Sequence, residues 1–274
     1  MTFEQYEQSP EGGHKVYLYT WRRGATTWRY ANYDRNIGAG VNTYAAAPIQ
    51  HDAIEQSTDV QRMEMRVETP IDHPVAVQFR AQAPTETITL TIAAMHVNDP
   101  DQEVRAAWTG RVISVDVDLP RNKAIIQHSP TYTSLSRLGL RRRAQTKCPH
   151  VLYGTACKAS QALFQVIATV TNMSGVTITA NDFGGKPAKY WDGGYIEYQS
   201  NGLTERRGIM SATGVTLTLS APPVGLAIGQ SVTALPGCDH TTGANGCQKF
   251  SNILNYGGFP EFPRKNPFGS DPIY

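Results

Sequence analysis

The chain has no apolar run approaching the ~20 residues a membrane-crossing helix needs. Its first fifteen residues, MTFEQYEQSPEGGHK, are polar and acidic and lack the apolar stretch of a secretory leader. Neither a membrane segment nor export is expected, and folding in a reducing cytosol is. Charge of one sign is lacking too. The 25 Lys and Arg against 23 Asp and Glu leave a formal +2, too little to argue for a nucleic-acid or membrane partner. Catalytic signatures are missing: there is no GxSxG, HExxH, Walker A or GxGxxG pattern. No two of the seven His (14, 51, 73, 96, 128, 150 and 240) stand at metal-binding helical spacing. An enzyme is therefore not expected.

Helical periodicity is scarce. Its best candidates are the short stretches HPVAVQFRAQA (73–83) and SLSRLGLRRRAQ (134–145), neither strongly amphipathic. What fills the chain instead is strand pattern. VYLYTW (16–21), TITLTIAAM (87–95), RVISVDVDL (111–119) and KAIIQHS (123–129) are rich in β-branched and aromatic residues. FQVIATVT (164–171), VTITA (176–180), YIEYQ (195–199), VTLTLS (215–220) and QSVTAL (230–235) follow. Turn signals such as Asn201-Gly202 and Asp192-Gly193-Gly194 separate them, and KYWDGGYIEY reads as a hairpin. Many short strands at roughly ten-residue spacing predict an all-β protein of barrels or sandwiches. At 274 residues more than one domain is expected. The boundaries fall at an N-terminal β-barrel region (1–147), a second β-domain (158–237), and a module made of 148–157 with 238–274.

Cysteine is the scarcest chemistry-bearing residue, and its placement is regular. CPHVLYGTAC (148–157) and CDHTTGANGC (238–247) hold all four cysteines, each as a Cys, eight residues and a Cys, with a His two places after the first. Three readings compete. Disulfides Cys148–Cys157 and Cys238–Cys247 would close short loops, but a reducing compartment opposes them. Four thiolates suit a tetrahedral zinc ion, although zinc knuckles favour two to four residues between paired ligands. Four thiolates also suit a cuboidal iron–sulfur cluster, whose ligand spacing varies more. Either metal would tie together loops eighty residues apart. Loop-closure entropy grows by only ~0.6 kcal/mol per doubling, whereas structural zinc binding in peptides reaches ~10–16 kcal/mol. His150 and His240 are expected beside the ligands, each donating an N–H to a sulfur or a carbonyl.

Two flanking features have plain readings. RLGLRRRAQTK (137–147) carries five cations in eleven residues, but no aromatics interleave with them, so a solvated face or subunit contact is expected. The last 25 residues carry four Pro, three Gly and six aromatics. That composition predicts an extended tail whose rings pack on the cysteine module or on a neighbouring subunit.

WTGRVISVDVD, YTSLSRLGLRRRAQTKCPHVLYGTAC and GCDHTTGANGCQKFSNILNYGGFPEFPRKNPF together resemble the tail-tip (baseplate) hub proteins of long-tailed phages, prophages and gene transfer agents. The phage lambda tail-tip protein L is a member of that family. The resemblance spans nearly the whole chain. It is most specific at CPHVLYG and at GGFP…NPF, and the first 110 residues match in style only. It implies a non-catalytic virion protein with a barrel similar to the tail tube's own units. Such a hub forms a ring, usually a trimer of itself, that joins the tube to the central fibre. Implied partners are the distal tail protein, the central fibre and the tape-measure protein. The implied location is the virion tail tip, after assembly in the host cytoplasm. The implied cofactor is a [4Fe–4S] cluster on Cys148, Cys157, Cys238 and Cys247. Zinc remains the alternative metal. The rival functions are a zinc-stapled host-binding module and a tail-associated cell-wall hydrolase.

Overall fold

The computed structural model describes residues 3–9, 13–55, 64–80, 82–136 and 144–261. The chain divides into two compact units, Met1–Leu138 and Gly139–Tyr274.

The first unit holds helix α1 (Phe3–Gln8), strands β1 (Lys15–Arg23), β2 (Thr26–Ala31), β3 (Ile37–Ala39), β4 (Asn42–Ala46), β5 (Gln50–His51) and β6 (Met65–Pro70), helix α2 (Pro74–Gln78), and strands β7 (Thr89–His96), β8 (Arg105–Asp118) and β9 (Lys123–Pro130). The strands form one sheet in the order β3-β4-β2-β1-β7-β8-β9-β6-β5. β1 shows why KVYLYTWRR makes a central strand. Alternate side chains leave opposite faces of the pleat, and here both faces are buried. Tyr19 and Trp21 enter the main core with Met65, Leu90 and Ile126, while Val16 and Leu18 enter a second cluster with Tyr44 and Met95. A buried Trp removes roughly 200 Å² from water, worth about 5 kcal/mol before entropy is set against it.

The sheet order explains the curvature. β4 lies one strand in from one end and β5 lies at the other, yet only residues 47–49 join them. So short a link, reaching about 14 Å at full extension, curls the sheet until its ends approach. Among the described residues no ladder joins β3 to β5, so the expected barrel is here a half-barrel.

The second unit holds α3 (Gln161–Phe164), β10 (Val166–Thr169), β11 (Asn172–Ser174), β12 (Thr177–Thr179), β13 (Tyr195–Ser200), β14 (Leu203–Thr213), β15 (Thr216–Leu219) and β16 (Ser231–Leu235). Their order is β10-β16-β13-β14-β15-β12-β11. The two end strands are successive in sequence, with only residues 170–171 between them, so this sheet also folds round on itself. A bulge at 209–211 lets the long β14 serve both halves. Inside lie Phe183, Trp191, Ile196, Ile209, Leu217 and Val232. The expected turn at Asn201-Gly202 is a two-residue hairpin loop with φ of 51° and 75° at its two residues, the left-handed pair that Asn-Gly favours.

Three local expectations are corrected. KYWDGGYIEY is not a hairpin: 189–194 is a series of turns, and β13 pairs with β14 and β16. The reason is Trp191, which turns into the core and donates Nε1–H to the Phe183 carbonyl at 3.1 Å. FQVIATVT is shortened to β10 because Phe164 closes the brief helix α3. Of HPVAVQFRAQA only α2 is helical, started by His73, whose Nδ1 accepts from the Val75 amide at 3.4 Å. The stretch 134–145 begins in a 3₁₀ segment, Thr131–Ser136, and residues 137–143 lie outside the described residues.

Candidate functional site

Both cysteine segments belong to the second unit. β16 ends at Leu235, and residues 236–238 press against the turn at 192–194. A Cβ on Gly237 would lie 1.9 Å from the Asp192 carbonyl oxygen, so only glycine fits, and Cys238 follows it. The first segment is held at the same place. Tyr153 donates its hydroxyl to the Pro236 carbonyl at 2.8 Å, and its ring stands edge-on to Phe250.

Direct bonds join the two segments. The Cys148 amide donates to the His240 carbonyl at 2.9 Å, and His240 Nδ1 faces the Cys148 carbonyl, also at 2.9 Å. A carbonyl only accepts, so Nδ1 carries the proton. Asn252 makes the second tie. Its amide N–H donates to the Cys247 carbonyl at 3.0 Å, and its side-chain Nδ2 donates to the Cys157 carbonyl at 2.5 Å. The chain after Cys247 then folds back on the first cysteine segment and the residues just before it. His150 Nδ1 donates to the Asn255 carbonyl at 3.1 Å, the Phe259 amide donates to the Gln145 carbonyl at 2.9 Å, and the Tyr256 hydroxyl donates to the Thr146 carbonyl. Gly257 lies flat on the His150 ring, where a Cβ would meet Nε2 at 2.4 Å.

The sulfurs are free thiols, three buried and Cys238 half-buried. Three have an N–H donor in place: the His240 amide to Cys238 at 3.4 Å, the Gly257 amide to Cys148 at 3.4 Å, and Asn252 Nδ2 to Cys157 at 3.6 Å. Burial first, and then the nearby Cys238, Cys148 and Cys157, push the Cys247 thiol up to about 11. Burial also raises Cys238, opposed by the His240 N–H. The four sulfurs thus share one electrostatic neighbourhood, and four thiolates would coexist there only around a compensating cation. Among the described residues no three His, Cys, Asp or Glu side chains gather closely enough for a single metal ion.

Backbone conformation marks the same region. Tyr153, Lys158, His240 and Ser251 adopt φ of 60°, 60°, 62° and 49°. Each left-handed non-glycine residue costs about 1 kcal/mol or more and persists only where its surroundings enforce it.

The six residues singled out from the sequence therefore meet in one module. Asn252, Lys249 and Tyr153 were missed, because nothing in the sequence pattern sets one Asn, Lys or Tyr apart from its neighbours. Of the basic stretch and the aromatic tail, 137–143 and 262–274 lie outside the described residues.

A family described as phage conserved hypothetical protein BR0599 matches residues 189–266, which include the second cysteine pair. An uncharacterized protein of Xylella fastidiosa (strain 9a5c) is 27% identical over 188 residues, 63% of this chain and 38% of that protein. The chain thus spans well under half of that relative's length. Among solved structures, a chain from the virion of a native gene transfer agent particle is similar with a TM-score of 0.77 at 16% identity, covering 99% of this chain and 96% of the other. At that identity the likeness establishes the fold: both β-units of this protein follow a chain architecture found in that particle.

Proposed function

We propose that this protein is a structural, non-enzymatic component of a phage-like virion, acting as a hub at the tail tip. The observation that carries the reading is the fold likeness to a gene transfer agent virion chain, at a TM-score of 0.77 over 99% of the chain. The phage family match over 189–266 supports it independently. Copies of the chain form a closed ring, a trimer, that joins the tail tube to the central fibre, with the distal tail protein and the tape-measure protein as further neighbours. The curled sheet of the first unit supplies the tube-like part, with its edge strands available for pairing between copies.

Within that reading, Cys148, Cys157, Cys238 and Cys247 hold a [4Fe–4S] cluster. The donor set fits: four free thiols in one neighbourhood, three already met by N–H donors of the kind that stabilise sulfur carrying negative charge. Once bound, the cluster supplies four strong bonds that lock the two loops together. The chain's own residues do the rest: Asn252 and the Cys148–His240 pair hold the loops in register, and Tyr153 seats them at the end of β16.

Metal and acid-labile sulfide analysis of anaerobically purified protein tests the cofactor. The expected result is about four iron and four sulfide per chain with a brown chromophore. One zinc and no sulfide would replace the cluster with the zinc reading, and no metal would end both. Labelling of intact particles with antibody to this chain, viewed by electron microscopy, tests the position. Signal at the distal tail end is expected, and signal elsewhere or none would remove the hub assignment.

A further inference from the structure

Lys249 is held in a way its sequence position does not explain. It stands two residues after Cys247, yet its ammonium group is tied to the end of the sheet. Nζ donates to the carbonyls of Tyr190 and Gly237, each at 2.8 Å, and Gly237 directly precedes Cys238. The same nitrogen lies over the rings of Tyr190 at 5.2 Å and Phe250 at 5.7 Å. Carbonyl oxygens and ring faces attract positive charge and supply no counter-anion. The cation thus sits half-buried beside the backbone that leads into Cys238, and among the described residues no carboxylate is ion-paired to it. Asp192 and Asp239 are its anionic neighbours and act on it through charge alone.

We infer that Lys249 is a positioning residue for charge at the four-thiol site: a cation anchored to the sheet that stabilises the more reduced, more negative state of the group bound there. This rests on the cluster reading above. Its physical basis is that a fixed positive charge in a partly desolvated site favours whichever state of its neighbour carries more negative charge, and nearby charge is one of the levers that set cluster potentials. The N–H donors on Cys148, Cys157 and Cys238 act in the same sense, but they are dipoles, whereas Lys249 contributes a full charge.

The test is an anaerobic redox titration of the full-length protein, in which an added low-potential mediator gives one electron to the cluster and is itself oxidised. Wild type is compared with Lys249→Met, Lys249→Gln and Lys249→Arg, with iron and sulfide measured on every sample. The expected result is equal iron in all four, with a midpoint in the Met and Gln variants lower by at least 59 mV, a tenfold change in the reduced-to-oxidised ratio for one electron. The Arg variant should stay near wild type. Lys249→Gln keeps an N–H donor for the two carbonyls, so it decides the matter should Lys249→Met fail to fold. An iron-loaded Gln variant with an unchanged midpoint would overturn the inference and leave the cluster reading intact. A wild-type protein without iron or sulfide would overturn both.

Discussion

Cys148 and His240, 92 residues apart, hold each other through two hydrogen bonds running in opposite directions: amide to carbonyl at 2.9 Å and imidazole Nδ1 to carbonyl at 2.9 Å. The pair joins the first cysteine segment to the second before any metal is considered. His240 does this from a left-handed conformation, with φ of 62°.

His240→Ala removes the imidazole bond and keeps the left-handed backbone. A net loss of about 1–2 kcal/mol is expected, read as faster proteolysis within 148–157 and an earlier thermal transition of the second unit. His240→Asn, a residue that tolerates this conformation, should fall between Ala and wild type.

Gly237→Ala places a methyl group 1.9 Å from a backbone oxygen that has no free rotamer to yield. Loss of more than about 3 kcal/mol is expected, seen as poor soluble yield or a large drop in Tm. Gly38→Ala has nothing within 4 Å of the new atom and serves as the neutral control.

The first unit should weaken in acid. Burial holds His73 and His128 down to about 4, and in the unfolded chain both return to about 6.5. A lowered histidine pKa means the unfolded state binds more protons, so this stability is present above about pH 6.5 and is lost as pH falls toward 4. From pH 7 to 5 each histidine contributes a loss of about 2 kcal/mol. Urea midpoints followed through the Trp21 environment would read it. His128 accepts from Trp21 Nε1 at 3.3 Å and faces the Met65 carbonyl at 3.2 Å through Nδ1. An unchanged midpoint between pH 7 and 5 would contradict the prediction.

Trp191→Ala should cost about 3–5 kcal/mol, the usual range for emptying a buried indole site. Trp191→Phe should cost less, losing mainly the bond to the Phe183 carbonyl. Denaturant unfolding of the two variants would give both values.

Much of the sheet was legible because strand pattern is local. In KVYLYTWRR, TLTIAAMH and YIEYQS the alternation and β-branching sit in the residues themselves, and each is a strand within a residue or two of where the pattern placed it. The failures share a cause. Trp191 and Phe164 carry strand-like chemistry but are drawn out of the ladder by partners distant in sequence or fold, the Phe183 carbonyl for one and the Phe250 ring at 4.9 Å for the other. Curvature was similarly hidden, because it follows from sheet order, in which β4 and β5 lie near opposite ends while three residues join them.

By itself the sequence determined the all-β character, the Asn201-Gly202 turn and the two equal cysteine segments, since alternation, left-handed turn preference and residue spacing are properties of neighbours along the chain. Only the tertiary structure decided that Asn252 ties Cys157 to Cys247, that His240 holds Cys148 and that Lys249 reaches back to Gly237. Those are contacts between segments about ten to over ninety residues apart, and they exist only once the sheet has brought its ends together.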